Sequence, residues 1–551
     1  VDGDAISIRI QMPLGYFFDN HMHIMSGNCS PLPVIWYKNF AIDFTKPNRL
    51  DIDLLGAFVL GSGGRLQYKN TGSIAKRAVE ELDTFFEKCQ DEKFLYDYND
   101  FLNGRGTPFT LQFVMSMDMD YTHIEGYYGQ MLYHYDEKAM LYFYYLRDSG
   151  LSPEEKGQKT YLDPSEVVLY ENYKKQLGYT TNACIENPFR LLPLYHYDPR
   201  RWNYLDKNDV IGALQSDNGK PYATDDLAKG TWDYPLTKIA GRKVSGKPGL
   251  FIGIKMYTPQ GYRPFDDKCK YLENFYKQCE DEQIPIINHC SAGGNTIPET
   301  KFYMEHIKGS FGNAGSSDSD ATSMHLVAKG DPVNYFIDNF VHPKAWRKVL
   351  EKHKNLKICL AHFGAAEWEK PHTESEWIQE MIALMEEFPN VYTDIACFDF
   401  KKNQNNFGFF LRCLGHRKVL NKILFGTDWY MSLLTAMEFN AHRIWDLPEI
   451  GLARGRTYET FIKQWKCFFD SINPALWTRF SIINTYNFYD LGNKVLLDNL
   501  EKGFCDGVEK QRLDCSQFKL KTQFVTDRRI QLDALPQKII DLKKFYGIKD
   551  E

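Results

Sequence analysis

The sequence predicts an α/β fold, a (β/α)8 TIM barrel with long insertions in the loops after the strands and a C-terminal extension. Three observations carry this prediction. Short apolar runs recur, each ending in a polar residue and followed by a loop and a helical pattern, which is the rhythm of a parallel sheet with crossover helices. Eight such runs lie between residues 15 and 426 of the 551-residue chain. Hydrophobic residues make up 43 % and charged residues 25 %, enough apolar material for a large core and too much for a disordered chain.

The runs, in order, are Gly15–Asp19, closing on His21 and His23; Phe109–Met115, closing around Asp118; and Phe189–Tyr195, leading to Asp198, Pro199, Arg200 and Arg201. Leu250–Tyr257 carries Lys255, Ile284–Asn288 closes on His289, and Leu356–Ala361 closes on His362. Asn390–Ile395 contains Asp394, and Lys422–Gly426 closes on Asp428. Asp267–Glu282 and Pro343–His353 have apolar residues at three- and four-residue spacing, as amphipathic helices do, and Pro343 suits a first helical turn.

Residues 24–108, 119–188, 199–249 and 290–342 exceed the length a crossover needs. Loops after barrel strands lie on the catalytic face, so these insertions are expected to build a deep pocket or lid. Gly309–Asp320, rich in Gly, Ser and Asp, reads as a mobile loop. Ala5–Ile10 alternates apolar and polar residues and reads as a strand leading into the barrel. Thr457–Leu491 reads helical. The expected division is a barrel with its insertions over 1–491 and a charged helical extension over 492–551, packed on or trailing the barrel.

Composition excludes several function classes. The net charge is −6 without a long basic stripe, so no nucleic-acid partner is expected. No apolar run reaches the roughly 18 residues that span a bilayer, so no membrane partner is expected either. The start has no signal-peptide pattern, although a chain opening on Val1 leaves room for an upstream segment. The 12 cysteines form no CxxC pair, and Cys359 and Cys397 sit in apolar strand-like runs as small hydrophobes. A reducing compartment, the cytoplasm, is the expectation. Gly61-Ser62-Gly63-Gly64 does not match a dinucleotide fingerprint, and there is no P-loop or GxSxG elbow.

The chemistry concentrates at the ends of the runs. On a strand, residues two apart face the same side, so His21 and His23 project together, as two imidazoles on one divalent ion would. His289, His362 and Asp428 each stand just past an apolar run, and in a parallel barrel all such ends open on one face. Capping of loop amides explains one such residue at a time; a shared metal site explains five together.

Phe18-Asp19-Asn20-His21-Met22-His23, Asn288-His289-Cys290, Leu360-Ala361-His362-Phe363-Gly364 and Leu424-Phe425-Gly426-Thr427-Asp428-Trp429 resemble, in order and spacing, the motifs of the amidohydrolase superfamily of metal-dependent hydrolases. The likeness covers most of residues 15–491, and Asn484–Leu491 looks like the helix that closes such barrels. It is strongest towards the amidohydrolase-2-like branch that contains amino-carboxymuconate-semialdehyde decarboxylase and related lactonases. The resemblance implies His21, His23, His289 and Asp428 as ligands of a divalent metal, Zn²⁺ first and Mn²⁺ or Fe²⁺ as alternatives. A metal lowers the pKa of its bound water to about 7, and Asp428 would take that water's proton. His362 would polarise the scissile carbonyl or act as acid/base in a one-ion site, and would be a ligand in a two-ion site. Asp19 is expected either to orient a ligand imidazole or to cap its loop.

Lys255 decides between one ion and two. Relatives with two ions carry a carboxylated lysine at this strand end; the other reading is a lysine paired with an acid. Arg263 is a candidate for a substrate carboxylate or an ion pair with Asp266 or Asp267, Tyr257 for substrate contact, and Trp429 for the pocket wall or packing. His123, His134 and His196 read as structural. The implied activity is hydrolysis of an amide, lactone or other ester bond of a small molecule. A non-oxidative decarboxylase and a non-catalytic binding scaffold are the alternatives, and a homodimer is the default assembly for this fold class.

Overall fold

The computed structural model describes residues 16–24, 75–76, 78–80, 82–83, 109–117, 133–136, 141–145, 159–161, 168–197, 239–260, 263–265, 270–291, 340–369, 375–396, 407–429, 462, 465–466, 468–511 and 513–549. The strands in chain order are β1 (Tyr16–Met22), β2 (Phe109–Met115), β3 (Tyr133–Asp136), β4 (Leu141–Tyr145), β5 (Lys159–Tyr161), β6 (Leu191–His196), β7 (Gly253–Met256), β8 (Ile286–His289), β9 (Ile358–Ala361), β10 (Val391–Asp394) and β11 (Ile423–Leu424). Eight of them form one sheet in the order β1-β2-β6-β7-β8-β9-β10-β11, with every pairing parallel. This is the (β/α)8 barrel that the eight apolar runs predict. Strands such as Ile358–Ala361 are apolar throughout because both faces are buried, one in the barrel and one under helices.

The boundaries differ from expectation at the seam. β1 runs on to Met22, so His21 lies within a strand rather than past its end. β11 keeps only Ile423 and Leu424. The reason lies in what closes the barrel. At the upper end Asn20 N donates to Phe425 O at 2.9 Å and Asp428 N to His21 O at 2.7 Å, joining the last strand to the first. At the lower end the helical segment Ala475–Tyr489 wedges in. Its π turn, Arg479–Ile483, leaves the Phe480 carbonyl to accept from Phe425 N at 3.0 Å, and Asn484 Nδ2 donates to Ile423 O at 2.7 Å. Trp477 of that segment stacks on Phe17 and meets Phe425 edge-on. The backbone groups of the short last strand are thus satisfied partly by a helix.

Helices fall where crossovers are required: α1 (Val168–Glu186), α2 (Lys270–Glu282), α3 (Arg347–Lys352), α4 (Glu376–Glu387) and α5 (Phe407–Leu414). The expected helix from Pro343 begins as a 3-10 turn, Pro343–Trp346, capped by the His342 side chain, which accepts from Lys344 N. Strands β3 to β5 form an antiparallel sheet inside the 119–188 insertion, an element the sequence reading did not anticipate. Its alternating aromatic stretches are short, and neighbouring insertion sequence masks their period.

Residues 492–551 hold three helices, α6 (Lys494–Lys510), α7 (Cys515–Asp533) and α8 (Leu535–Tyr546). They pack under the barrel. Asn499 Nδ2 donates to Gly241 O and Val244 O, and the buried Arg528 guanidinium donates to Thr110 O at the start of β2 and to Phe189 O ahead of β6. Gly503 allows α6 to lie on the chain at Gly249, because an added Cβ would come within 2.3 Å of that carbonyl oxygen. Among the described residues no helix is long and apolar enough to cross a membrane, and the seven cysteines, Cys359 among them, are free thiols. The readings for Ala5–Ile10, Asp118, His123, Asp198–Arg201, Gly309–Asp320 and Cys397 lie outside the described residues.

Candidate metal centre

The upper end of the barrel brings together the residues singled out from the sequence. His21 comes from β1 and His23 from the residue after it, Lys255 from β7, His289 from the end of β8, His362 from the residue after β9, and Asp428 from the turn after β11. All are buried. The ring centroids of His21 and His362 are 4.8 Å apart, those of His289 and His362 4.5 Å, and those of His21 and His23 5.3 Å. One donor atom each from His21, His362 and Asp428 lie within 4.8 Å of one another. His23 adjoins this trio through Nε2, 3.4 Å from Asp428 Oδ1. His289 adjoins it through Nδ1, 2.9 Å from His362 Nε2.

The backbone is bent to make this happen. His362 and Asp428 have φ of 72° and 49°, in the left-handed region that non-glycine residues avoid. Such strain persists only where surrounding contacts fix it. Here those contacts are His362 N to Asp394 Oδ1 and Asp428 N to His21 O. Gly426 admits the close approach of the strands, since a Cβ there would lie 2.6 Å from the Cβ of His21.

Hydrogen bonding fixes the tautomers. His23 Nδ1 lies 3.1 Å from Met115 O and His362 Nδ1 lies 3.1 Å from Ala396 O. A carbonyl only accepts, so both rings carry the proton on Nδ1 and turn an Nε2 lone pair to the site. His289 Nδ1 must then donate to His362 Nε2. His21 Nδ1 meets Asp394 Oδ2 at 2.9 Å, and His21 Nε2 is buried without a hydrogen-bond partner among the described residues.

Asp394 is the residue whose role the sequence reading missed. Its Oδ1 accepts from His362 N at 2.8 Å and Ala396 N at 3.1 Å. Its Oδ2 accepts from His21 Nδ1, from Asn20 Nδ2 at 3.4 Å and from Cys359 Sγ at 3.7 Å. The available signal was an acid closing a strand at the level of the other site residues. Asp19, by contrast, bonds backbone amides and a hydroxyl. It accepts from His21 N, Thr427 N and Thr427 Oγ1, so the capping alternative describes it.

Burial pushes the imidazoles of His21, His23 and His362 well below the usual histidine range, and neighbouring positive charges, Lys255 among them, push the same way. Burial also brings Lys255 down to about 8, against the pull of Asp394 and Asp428. A neutral imidazole is the form that ligates a metal. The residues present therefore fit a divalent ion: a bare buried Nε2 on His21, the Nε2 lone pair of His23, a carboxylate, and His362 Nε2 held in a hydrogen bond by His289.

The other candidates are placed less informatively. The Tyr257 ring lies against His289, centroids 4.8 Å apart, and Lys255 Nζ is 5.9 Å from its centre. Trp429 is buried in the main core. Arg263 is half-buried, and Asp266 and Asp267 lie outside the described residues. His196 is buried at the end of β6.

Residues 244–452 match the family model described as amidohydrolase, a span that holds Lys255, His289, His362, Asp394 and Asp428. Among solved structures, an uncharacterised TIM-barrel protein from Bordetella bronchiseptica is 12 % identical, with 57 % of this chain and 72 % of that one covered at a TM-score of 0.30. An amidohydrolase 2 from Bifidobacterium longum subsp. infantis is 11 % identical, with 56 % and 85 % covered at a TM-score of 0.22. No curated protein matches the sequence. Residues 244–452 are thus similar to the amidohydrolase family, and they carry most of the candidate His/Asp metal site at one end of an eight-stranded parallel barrel.

Proposed function

We propose that the protein is a metal-dependent hydrolase that cleaves an amide, lactone or other ester bond of a small molecule. The observation that carries this reading is the bare, buried Nε2 of His21 grouped with His362 and Asp428. His21, His23 and Asp428 would hold the ion, with His289 or His362 completing the set. A bound divalent ion would supply Lewis acidity, activating water and polarising a carbonyl.

The chain's own groups supply the rest. Asp428, beside His23 Nε2 at 3.4 Å, is placed to take a proton from a nucleophilic water and return it to the leaving group. His362 Nε2 accepts from His289 Nδ1 at 2.9 Å, so it would serve as a base or ligand once that proton moves away, and it donates to substrate only after it has gained a proton. Tyr257 packs against His289 and shields that side of the site. Burial of every member keeps bulk water from competing.

Elemental analysis of protein produced with zinc, and again with manganese, is the first test, followed by assay of a panel of amides, lactones and esters before and after chelation. One or two ions per chain, with chelator-sensitive turnover that falls about 100-fold or more in Asp428→Asn, supports the reading. Release of CO2 from a carboxylated substrate would replace hydrolysis with decarboxylation on the same residues. Metal uptake with ligand binding but no turnover would make the barrel a binding scaffold. Absence of metal after reconstitution would sink the proposal.

A further inference from the structure

We infer that Asp394 is a positioning residue which sets the tautomer of His21 and thereby makes His21 Nε2 available as a ligand atom. The inference deepens the metal-dependent reading, and rests on it for the consequence though not for the geometry. Five donors converge on this one buried carboxylate: two backbone amides on Oδ1, and an imidazole, an amide and a thiol on Oδ2. Only an acceptor on both oxygens satisfies all five, which means the ionised form. The imidazole proton of His21 therefore sits on Nδ1, and Nε2 keeps its lone pair. The same carboxylate holds the His362 amide in its left-handed turn, so one side chain aligns two members of the candidate trio. Cys359 and Asn20 also tether Oδ2.

Asp394→Asn separates this role from a merely structural one. The amides of His362 and Ala396 cannot turn round, so the Asn carbonyl must take the place of Oδ1. The Asn NH2 then faces His21 Nδ1 and Asn20. Asn20 Oδ1 has no partner among the described residues, so the Asn20 amide accommodates by flipping. His21 has no such freedom: its Nδ1 must accept, its proton moves to Nε2, and the ligand atom is lost while the fold's hydrogen bonds are kept.

The test is nitrogen-15 NMR of histidine side chains in metal-free protein, with His21 assigned from the signal missing in His21→Gln, together with zinc affinity by chelator competition. In the wild type we expect a protonated Nδ1 and a bare Nε2 on His21. In Asp394→Asn we expect the reverse, with zinc bound about 10- to 100-fold more weakly. Cys359→Ala should leave the tautomer unchanged. The wild-type spectrum alone overturns the inference if His21 carries its proton on Nε2, so the test survives an Asp394→Asn protein that does not fold. An unchanged tautomer and unchanged zinc affinity in Asp394→Asn also overturn it. A wild type with the expected tautomer that takes up no zinc would leave Asp394's role standing and remove the metal reading instead.

Discussion

Asp19 and Thr427 are bonded twice across the barrel seam, Thr427 N to Oδ1 at 2.9 Å and Thr427 Oγ1 to Oδ2 at 2.6 Å, although 408 residues separate them. With His21 N also on Oδ1, the carboxylate ties the first strand to the turn that presents Asp428. Asp19→Ala would strand three buried donors, at about 1–3 kcal/mol for each donor left unsatisfied. We expect a loss of at least about 3 kcal/mol in chemical denaturation. Asp19→Asn retains a carbonyl for the two amides, and the Thr427 hydroxyl can accept from the new NH2, so its loss should stay near 1 kcal/mol.

Gly426→Ala probes the close approach on the same seam. The added methyl would sit 2.6 Å from the Cβ of His21 and 3.2 Å from that of Ala396. Overpacking of this kind costs about 1–3 kcal/mol. Because the clash falls on His21, zinc binding should weaken along with the melting temperature, and calorimetry with metal titration reads both.

Arg528 makes a contrasting control at the other end of the barrel. Its guanidinium, brought down to about 9 chiefly by burial, bridges Thr110 O and Phe189 O. Arg528→Met should cost about 1–3 kcal/mol, the price of two stranded carbonyls offset by the removal of a buried charge. Metal content should not change, because the contact lies below the site.

The imidazoles predict an acid limb. His21, His23 and His362 have proton affinities depressed by burial, while in the unfolded chain they titrate near 6.5. Below that pH the unfolded state binds more protons than the folded one, so stability falls as pH falls; above it both states are neutral at these groups and the contribution is flat. Metal-free protein should therefore lose melting temperature on acidification below about 6.5. Lys255→Met removes one positive neighbour of all three rings, so their titration should move up and the acid limb should become shallower, though burial, the larger cause, remains.

Lys255 also carries the question of one ion or two. Its Nζ is drawn down to about 8 by burial, so more of it is neutral and able to react with CO2 near neutral pH than for an ordinary lysine. If it is carboxylated, intact mass under bicarbonate should show one added CO2, lost in Lys255→Met, with close to two ions per chain. An unmodified mass and one ion per chain would leave His362 as the acid/base group.

The sequence by itself determined the eight strands and pointed to the residues that the fold brings together as a candidate metal site. β2 spans Phe109–Met115 as its apolar run does, and His21, His289, His362 and Asp428 were legible because each stands at the end of such a run. Both are local properties: a strand buried on two faces must be apolar along its length, and a parallel barrel turns every strand end to one side. What only the tertiary structure decided is which acid serves which histidine. Asp19, two residues from His21, looked as suitable as any, yet it bonds Thr427, while Asp394 reaches His21 from 373 residues away. The same holds for the seam, where a π turn stands in for a missing strand partner, and for Arg528, a charged residue of the C-terminal extension buried beneath β2 and β6. Hydrogen-bond partners are chosen by distance and direction in three dimensions, and a one-dimensional spacing records neither once the chain has closed on itself.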